Sequence, residues 1–259
     1  MKEQGIVLAV GAHPDDVEFN MAGTLCLLVK AGFQAHIFTV SKSDLDSNVL
    51  PADEISRIRM KEAERSAAII GVKHHPGIVR DCMIFYKDDL LRRVTALVRE
   101  IAPTIILLPS LNDYMEDHMT TARLLVTACF IRGMRNYVTD PPREPISQDV
   151  FLYHAQPHLN RDGMRNLVVP ELFVDISSEM TTKERMLLCF ESQKEWLSET
   201  QGLNDIVATM QNACAEVAKM SGLREVKYVE GWRQHNHVGY SRQDLDPLSH
   251  ILGSKAHKN

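Results

Sequence analysis

The stretch Gly11-Ala12-His13-Pro14-Asp15-Asp16-Val17-Glu18 constrains this chain more than any other. An apolar run, Gly5-Ile6-Val7-Leu8-Ala9-Val10, precedes it and reads as a buried strand. A helix-like run from Met21 to Ala31 follows, and Gly32 ends it. One histidine and two aspartates therefore sit on a strand-to-helix turn. In an open α/β sheet that turn lies at the carboxyl end of the strand, where ligands bind. His13 and Asp16, three residues apart, can share a cation such as zinc. Asp15, between them, is then free to act on water at that cation. The same residues are also ordinary turn chemistry, because Pro-Asp makes turns and an Asp ahead of a helix caps it.

A second stretch favours the metal reading. Thr104-Ile105-Ile106-Leu107-Leu108 is another buried strand, closed by Pro109. Directly after it comes Ser110-Leu111-Asn112-Asp113-Tyr114-Met115-Glu116-Asp117-His118, with a helix expected from about His118 to Met134. If the two strands are neighbours, His118 reaches the His13/Asp16 pair. Two imidazoles and one carboxylate, with the fourth position open, make a common catalytic zinc set. The plainer alternative has Asp117 capping the helix and His118 in its first turn. That suits Asp117, but an imidazolium at a helix N-terminus opposes the dipole, whereas a neutral metal-bound imidazole does not.

The rest of the chain alternates. Gln34 to Val40 reads as a strand, with His36 a packed or edge residue. Ser41 to Pro51 is a polar loop long enough to cover a site. Ala52 to Ile70 is helical, with Arg57, Arg59, Lys61, Glu62, Glu64 and Arg65 expected on a largely solvated face. Ile78 to Phe85 is a weaker strand-and-loop segment, and Asp88 to Ile101 an amphipathic helix. The alternation predicts an α/β fold: a Rossmann-like, mostly parallel sheet with helices on both faces. Arg135 to Gln148, rich in Pro, Asp and Arg, reads as a boundary or a long surface loop. Beyond it come strand-like pieces at Val150 to His154 and Leu172 to Ile176, and helices at about Glu179 to Leu197 and Asn204 to Lys219. Arg224 to Val229 reads as the last strand, and Lys255 to Lys258 as a solvated basic tail. Residues 141–259 hold too few strands for a sheet of their own, so 1–259 is expected to be one domain.

Bulk properties exclude several function classes. A net charge of −5, without clustered Lys and Arg, does not suit nucleic acid or an anionic membrane surface. No apolar stretch approaches transmembrane length. Cys26, Cys82, Cys129, Cys189 and Cys214 form no Cys-x-x-Cys and suit reduced thiols, so a cytoplasmic protein is expected. The opening apolar run begins almost at once and is too short for a signal peptide. No glycine-rich dinucleotide loop follows the first strand.

Ala12-His13-Pro14-Asp15-Asp16 after a first strand resembles the signature of the LmbE-like (PIG-L) zinc N-deacetylases. Gly23-Thr24-Leu25, Arg59-x-x-Glu62, Arg80-Asp81, Asp117-His118, Val174-Asp175-Ile176, Ser192-Gln193 and Tyr228-Val229-Glu230 resemble weaker positions of the same layout. The resemblance implies His13, Asp16 and His118 as ligands of zinc or another divalent ion, and Asp15 as general base. It implies Arg59 and Asp81 as contacts for sugar hydroxyls. It implies removal of an N-acetyl group from a small N-acetylated amino sugar or its conjugate, in a protein that can form homo-oligomers. An amidase acting on a larger N-acyl or peptide-like conjugate, and a non-catalytic metal-containing binding protein, are the alternatives. The chain departs from the family at Met115, where relatives carry a histidine that helps stabilise the developing oxyanion. Tyr114, His235 and His237 are candidate replacements, although His235-Asn236-His237 also reads as an exposed polar loop. It departs again at Val40-Ser41-Lys42-Ser43-Asp44, where relatives often carry a Thr-x-Gly-Glu turn.

Overall fold

The computed structural model describes residues 5–202 and 205–258. Its strands are β1 (Ile6–Gly11), β2 (Gln34–Thr39), β3 (Lys73–His75), β4 (Ile105–Leu108), β5 (Phe151–Ala155), β6 (Leu172–Asp175), β7 (Val229–Gln234) and β8 (Ala256–Lys258). They form one sheet in the order β3-β2-β1-β4-β5-β7-β6-β8. The first five strands of that order run parallel. The β5–β7, β7–β6 and β6–β8 pairs are antiparallel. The sheet thus takes strands from both halves of the chain.

The central strands are apolar without a break because both faces are covered. In β1, Val7 and Ala9 face one way and pack with Ile105, Leu107, Leu25 and Leu28. Leu8 and Val10 face the other and pack with Ile106, Leu108, Val94, Val98, Leu124 and Leu125. The period-2 alternation of a strand sorts one run into two cores. The covering helices are α1 (Asp16–Asn20), α2 (Ala22–Lys30), α3 (Ala52–Ile69), α4 (Asp88–Ile101), α5 (Glu116–Ile131), α6 (Met180–Leu187), α7 (Glu191–Gln201), α8 (Ile206–Met220) and α9 (Pro247–Leu252).

Several expectations need correction. The expected helix from Met21 to Ala31 is α2 (Ala22–Lys30), and a break at Met21 separates it from a short helix that was not expected, α1 (Asp16–Asn20). The break gives α2 its own N-terminus, where Glu230 of β7 accepts bonds from the backbone N–H of Gly23 (2.8 Å) and Thr24 (2.7 Å). Gly23 is required there, since a Cβ would lie 2.6 Å from the Ile176 side chain. Residues 179–197 likewise hold two helices, and Glu62 satisfies the start of α7 by accepting from the Ser192 N–H (3.0 Å) and hydroxyl (2.6 Å). The expected start of the next helix at Asn204 lies outside the described residues. The last long strand is β7, not Arg224 to Val229, because Glu225 turns the chain with φ 66° and Trp232 is the fully buried residue. The basic tail is not solvated chain: β8 pairs with β6, and Lys255 and Lys258 reach Asp175 and Asp246, each at 2.7 Å. Arg59 and Glu62 are buried rather than on a solvated face.

Candidate metal centre

The parallel pair β1–β4 puts its two following loops side by side at the carboxyl end of the sheet. The first loop carries His13, Pro14, Asp15 and Asp16. Asp15 has φ 104°, a left-handed backbone that a side chain with a Cβ resists. Such strain in a non-glycine residue persists only where its surroundings impose it, and it clusters at functional sites. Asp16 is held rigidly, because its Oδ2 accepts the backbone N–H of Ala12 (2.8 Å) and of His13 (2.9 Å). Its Oδ1 is thereby aimed at His118 Nε2, 3.3 Å away. His13 Nδ1 lies 3.7 Å from Asp16 Oδ2.

His13, Asp16 and His118 form a group whose ligating atoms lie within 4.8 Å of one another. Each is oriented from behind. His118 Nδ1 meets Asp113 Oδ1 at 3.0 Å, which leaves Nε2 to face Asp16. His13 Nε2 meets Asp81 Oδ1 at 3.0 Å and Asp117 Oδ2 at 3.2 Å, which leaves Nδ1 on the Asp16 side. Carboxylates behind imidazoles fix tautomer and ring direction in the way metal-ligating histidines require. A second group, His13, Asp81 and Asp117, also meets the distance criterion. Its oxygens are already engaged: Asp81 Oδ1 accepts from the Ser41 hydroxyl and Asp117 Oδ2 from the Cys82 N–H. The first group has the freer donors and the better fit to a divalent ion.

Charge says the same. Burial opposes a charge on His118, but Asp16 and Asp113 outweigh it and lift its pKa to about 10. Burial also opposes a charge on His13, and its bonds to Asp117 and Asp81 raise it well above the usual range. Asp16 is pushed far below the carboxylate range by the two imidazoles, against its burial. Asp15 is pushed up to about 7 by burial, partly countered by Arg59. Burial likewise lifts Asp46 to about 6. The site holds more carboxylate than its cations balance, which is the chemistry of a cation-binding pocket.

Asp15 and Asp81, expected as base and substrate contact, both line the cavity in front of the histidines. Arg59 does not line it. Fully buried, it bonds Asp46 (2.8 Å) and the Pro14 carbonyl (2.9 Å) and approaches Asp15 Oδ2 at 3.4 Å. It holds the strained loop and reaches the cavity only through Asp15 and Asp46. Asp117 does not cap α5, whose N-cap is Met115, because its carboxylate is spent on His13 and Cys82. Met115 and Tyr114 line the cavity. His235 does not: it stacks with Tyr240 and bonds His154 at 3.1 Å. His237 faces Asp244 at 3.5 Å. Asp46, Asp113 and His158 escaped the sequence reading. Asp113 had a local signal, a carboxylate five residues before His118; His158 follows β5 and had none.

The cavity has two characters. Asp15, Asp16, Asp46 and Asp81 make an acidic wall, and Phe19, Leu187, Trp196 and Ile206 an apolar one. Among the described residues no lysine or arginine lines it.

Comparison with known proteins places these features. Residues 8–129 match the PIG-L family, described as GlcNAc-PI de-N-acetylase. The chain is 25% identical over 194 residues to a diacetylchitobiose deacetylase of Thermococcus kodakarensis, covering 72% of this chain and 69% of that one. Among solved structures it resembles GalB, the 4-carboxy-2-hydroxymuconate hydratase of Pseudomonas putida KT2440, with TM-score 0.74, 20% identity and coverage of 94% and 99%. It also resembles the N,N'-diacetylchitobiose deacetylase of Pyrococcus horikoshii, with TM-score 0.74, 22% identity and coverage of 94% and 88%. At these identities the structural likeness speaks for the fold.

Proposed function

With residues 8–129 a PIG-L (LmbE-like) family segment, we propose that this chain is a metal-dependent N-deacetylase acting on a neutral N-acetylated amino sugar or its conjugate. The observation that carries the reading is the juxtaposition of His13, Asp16 and His118 with a spare carboxylate, Asp15, on one strained loop. His13 Nδ1, Asp16 Oδ1 and His118 Nε2 would hold a divalent ion, zinc being the first choice for two imidazoles and a carboxylate. Such an ion supplies Lewis acidity, polarising the amide carbonyl and acidifying water beside it.

The chain's own residues do the rest. Asp15 takes one proton from the attacking water as its oxygen bonds to the acyl carbon. The C–N bond then breaks, and Asp15 returns the proton to the departing nitrogen. The second proton of the water stays on the acyl oxygen, so the amine and acetic acid leave, the acid ionising to acetate in solution. A carboxyl group lifted to about 7 suits both halves of that exchange near neutral pH. Asp46 and Asp81 can accept bonds from sugar hydroxyls, and Arg59 holds the Asp15 loop in place behind them.

The acidic wall argues against the hydration of a polycarboxylate that the hydratase's name describes. Such a substrate would meet Asp15, Asp46 and Asp81 with no lysine or arginine among the described lining residues to receive it, while His13 and His118 are engaged by Asp16, Asp81, Asp113 and Asp117. The spare Asp15 argues against a pure binding role, which needs no base. The apolar wall favours one second reading, an amidase for larger N-acyl groups, because Leu187, Trp196 and Ile206 offer a surface an acetyl group does not need.

The test is elemental analysis of purified wild type and His118→Ala, followed by acetate release from N-acetylated amino sugars. About one zinc per chain in wild type, with affinity reduced tenfold or more in the variant, is expected. A wild type that takes up no divalent ion sinks the reading. Faster release of longer acyl groups than of acetate moves it to the amidase.

A further inference from the structure

Met115 offers the cavity no hydrogen-bond donor at the position where the family this chain resembles carries a histidine. Methionine at this position lines the cavity together with Tyr114 and His158. Tyr114 is half exposed at the rim. His158 differs on every count. Its Nε2 is buried and has no hydrogen-bond partner among the described residues. An unpaired buried imidazole nitrogen costs free energy, so its persistence beside a cavity asks for a ligand.

His158 is also fixed in place. Its backbone N–H approaches Asp113 Oδ2 at 3.4 Å, and the other oxygen of the same carboxylate holds His118 Nδ1. One aspartate therefore ties His158 to the ligand histidine. The ring packs on Phe19 with centroids 4.4 Å apart and on Tyr114 at 5.8 Å. The two residues that follow, Leu159 and Asn160, both have left-handed backbones (φ 54° and 60°). Asn160 is anchored to α8 through the Ala213 carbonyl (3.0 Å) and Glu216 (2.9 Å). Two strained residues held by side-chain bonds form a built turn, and what the turn presents to the cavity is His158.

We propose that His158 is a catalytic residue that donates from Nε2–H to the acyl oxygen as it becomes an oxyanion, in the role Met115 cannot fill. Burial keeps its imidazole below the usual range and hence neutral, and a neutral ring carries one N–H to give. A preorganised donor in a water-poor cavity acts on the transition state without reorganising. The proposal rests on the deacetylase reading, and its test separates the two.

The experiment compares wild type, His158→Ala, His158→Gln, and His158→Ala combined with Met115→His. Acetate release from N-acetylated amino sugars, zinc content, and affinity for a phosphonamidate analogue of the tetrahedral intermediate are measured. His158→Ala should lower kcat about 10²–10³-fold with KM and zinc content little changed, and should weaken the analogue by a similar factor. His158→Gln, which keeps an N–H donor and is the check if the alanine variant misfolds, should recover part of the loss. Met115→His should restore about tenfold or more in the alanine background. A wild type that releases acetate, with His158 variants within about threefold of it, overturns the proposal and leaves the deacetylase standing. A wild type that binds zinc and the analogue but releases no acetate overturns the deacetylase reading, and the His158 proposal with it.

Discussion

Two of the buried charge clusters among the described residues are built in opposite ways. In one, Lys183 Nζ meets Glu230 Oε1 at 2.5 Å, and the Glu230 oxygens also take the N–H groups of Gly23 and Thr24. Both side chains are almost wholly buried, and one charge faces one opposite charge. In the other, Asp15, Asp16, Asp46, Asp81, Asp113 and Asp117 gather around Arg59, His13 and His118 and open onto a cavity. The first cluster is complete and ties β7 to α6 and the start of α2. The second has carboxylate to spare and a strained backbone at Asp15. A closed charge set holds a fold together, whereas an unbalanced one facing a cavity is built for something that arrives.

The comparison breaks most sharply at Asp15. Asp15→Asn keeps the shape and removes the base, so metal content should stay while kcat falls about 10²–10⁴-fold. Steady-state kinetics beside elemental analysis check this, and an active Asp15→Asn protein would mean the base is elsewhere. In the complete cluster the reverse is expected. Lys183→Met leaves the Glu230 charge buried without its partner, which costs about 3–5 kcal/mol of stability. The Gly23 and Thr24 N–H groups remain, so the lower end applies. Urea unfolding should show the loss, while zinc content and KM of the folded fraction stay as in wild type. A Lys183 variant that unfolds normally but loses metal would erase the distinction between the clusters.

How much of this was legible beforehand follows from what each element depends on. The β1 and β4 strands and the loops after them were readable because apolar runs and turn residues are local signals. Their pairing was a condition of the reading, since alternation predicts a parallel sheet but not its strand order; β1 does lie beside β4, and His13, Asp16 and His118 come together. The group that receives the first N–H bonds of α2 was not readable, because it is Glu230, some two hundred residues away. Burial of Arg59 and Glu62 was hidden for the same reason: both sit on a charged helical stretch, and their partners Pro14, Asp46 and Ser192 come from two loops and the start of α7. β8 escaped because three polar residues carry no strand pattern and are held by pairing with β6. His158 escaped because nothing next to it in sequence shows that Asp113 and Phe19 will frame it.

The smallest expected effect lies behind the ligands, at Asp113. Asp113→Asn is close to isosteric, and with its oxygen in the Oδ1 position it still accepts from His118 Nδ1 and the Met115 N–H, losing only the long contact from the His158 N–H at 3.4 Å. What it loses is the negative charge that helps hold His118 up at about 10. In wild type a cation must displace the proton that Asp16 and Asp113 keep on His118, so zinc affinity should rise with pH across the neutral range. In the variant, His118 gives up its proton at lower pH, so that slope should flatten. The imidazole is also a weaker donor without a carboxylate behind it, and affinity at pH 8 should fall about tenfold. Calorimetric titration with zinc at pH 6, 7 and 8 reads both changes. An unchanged slope and affinity would mean that Asp113 serves the loop and the His158 turn but not the metal ligand, and the boundary of the unbalanced cluster would then be drawn at the ligands themselves.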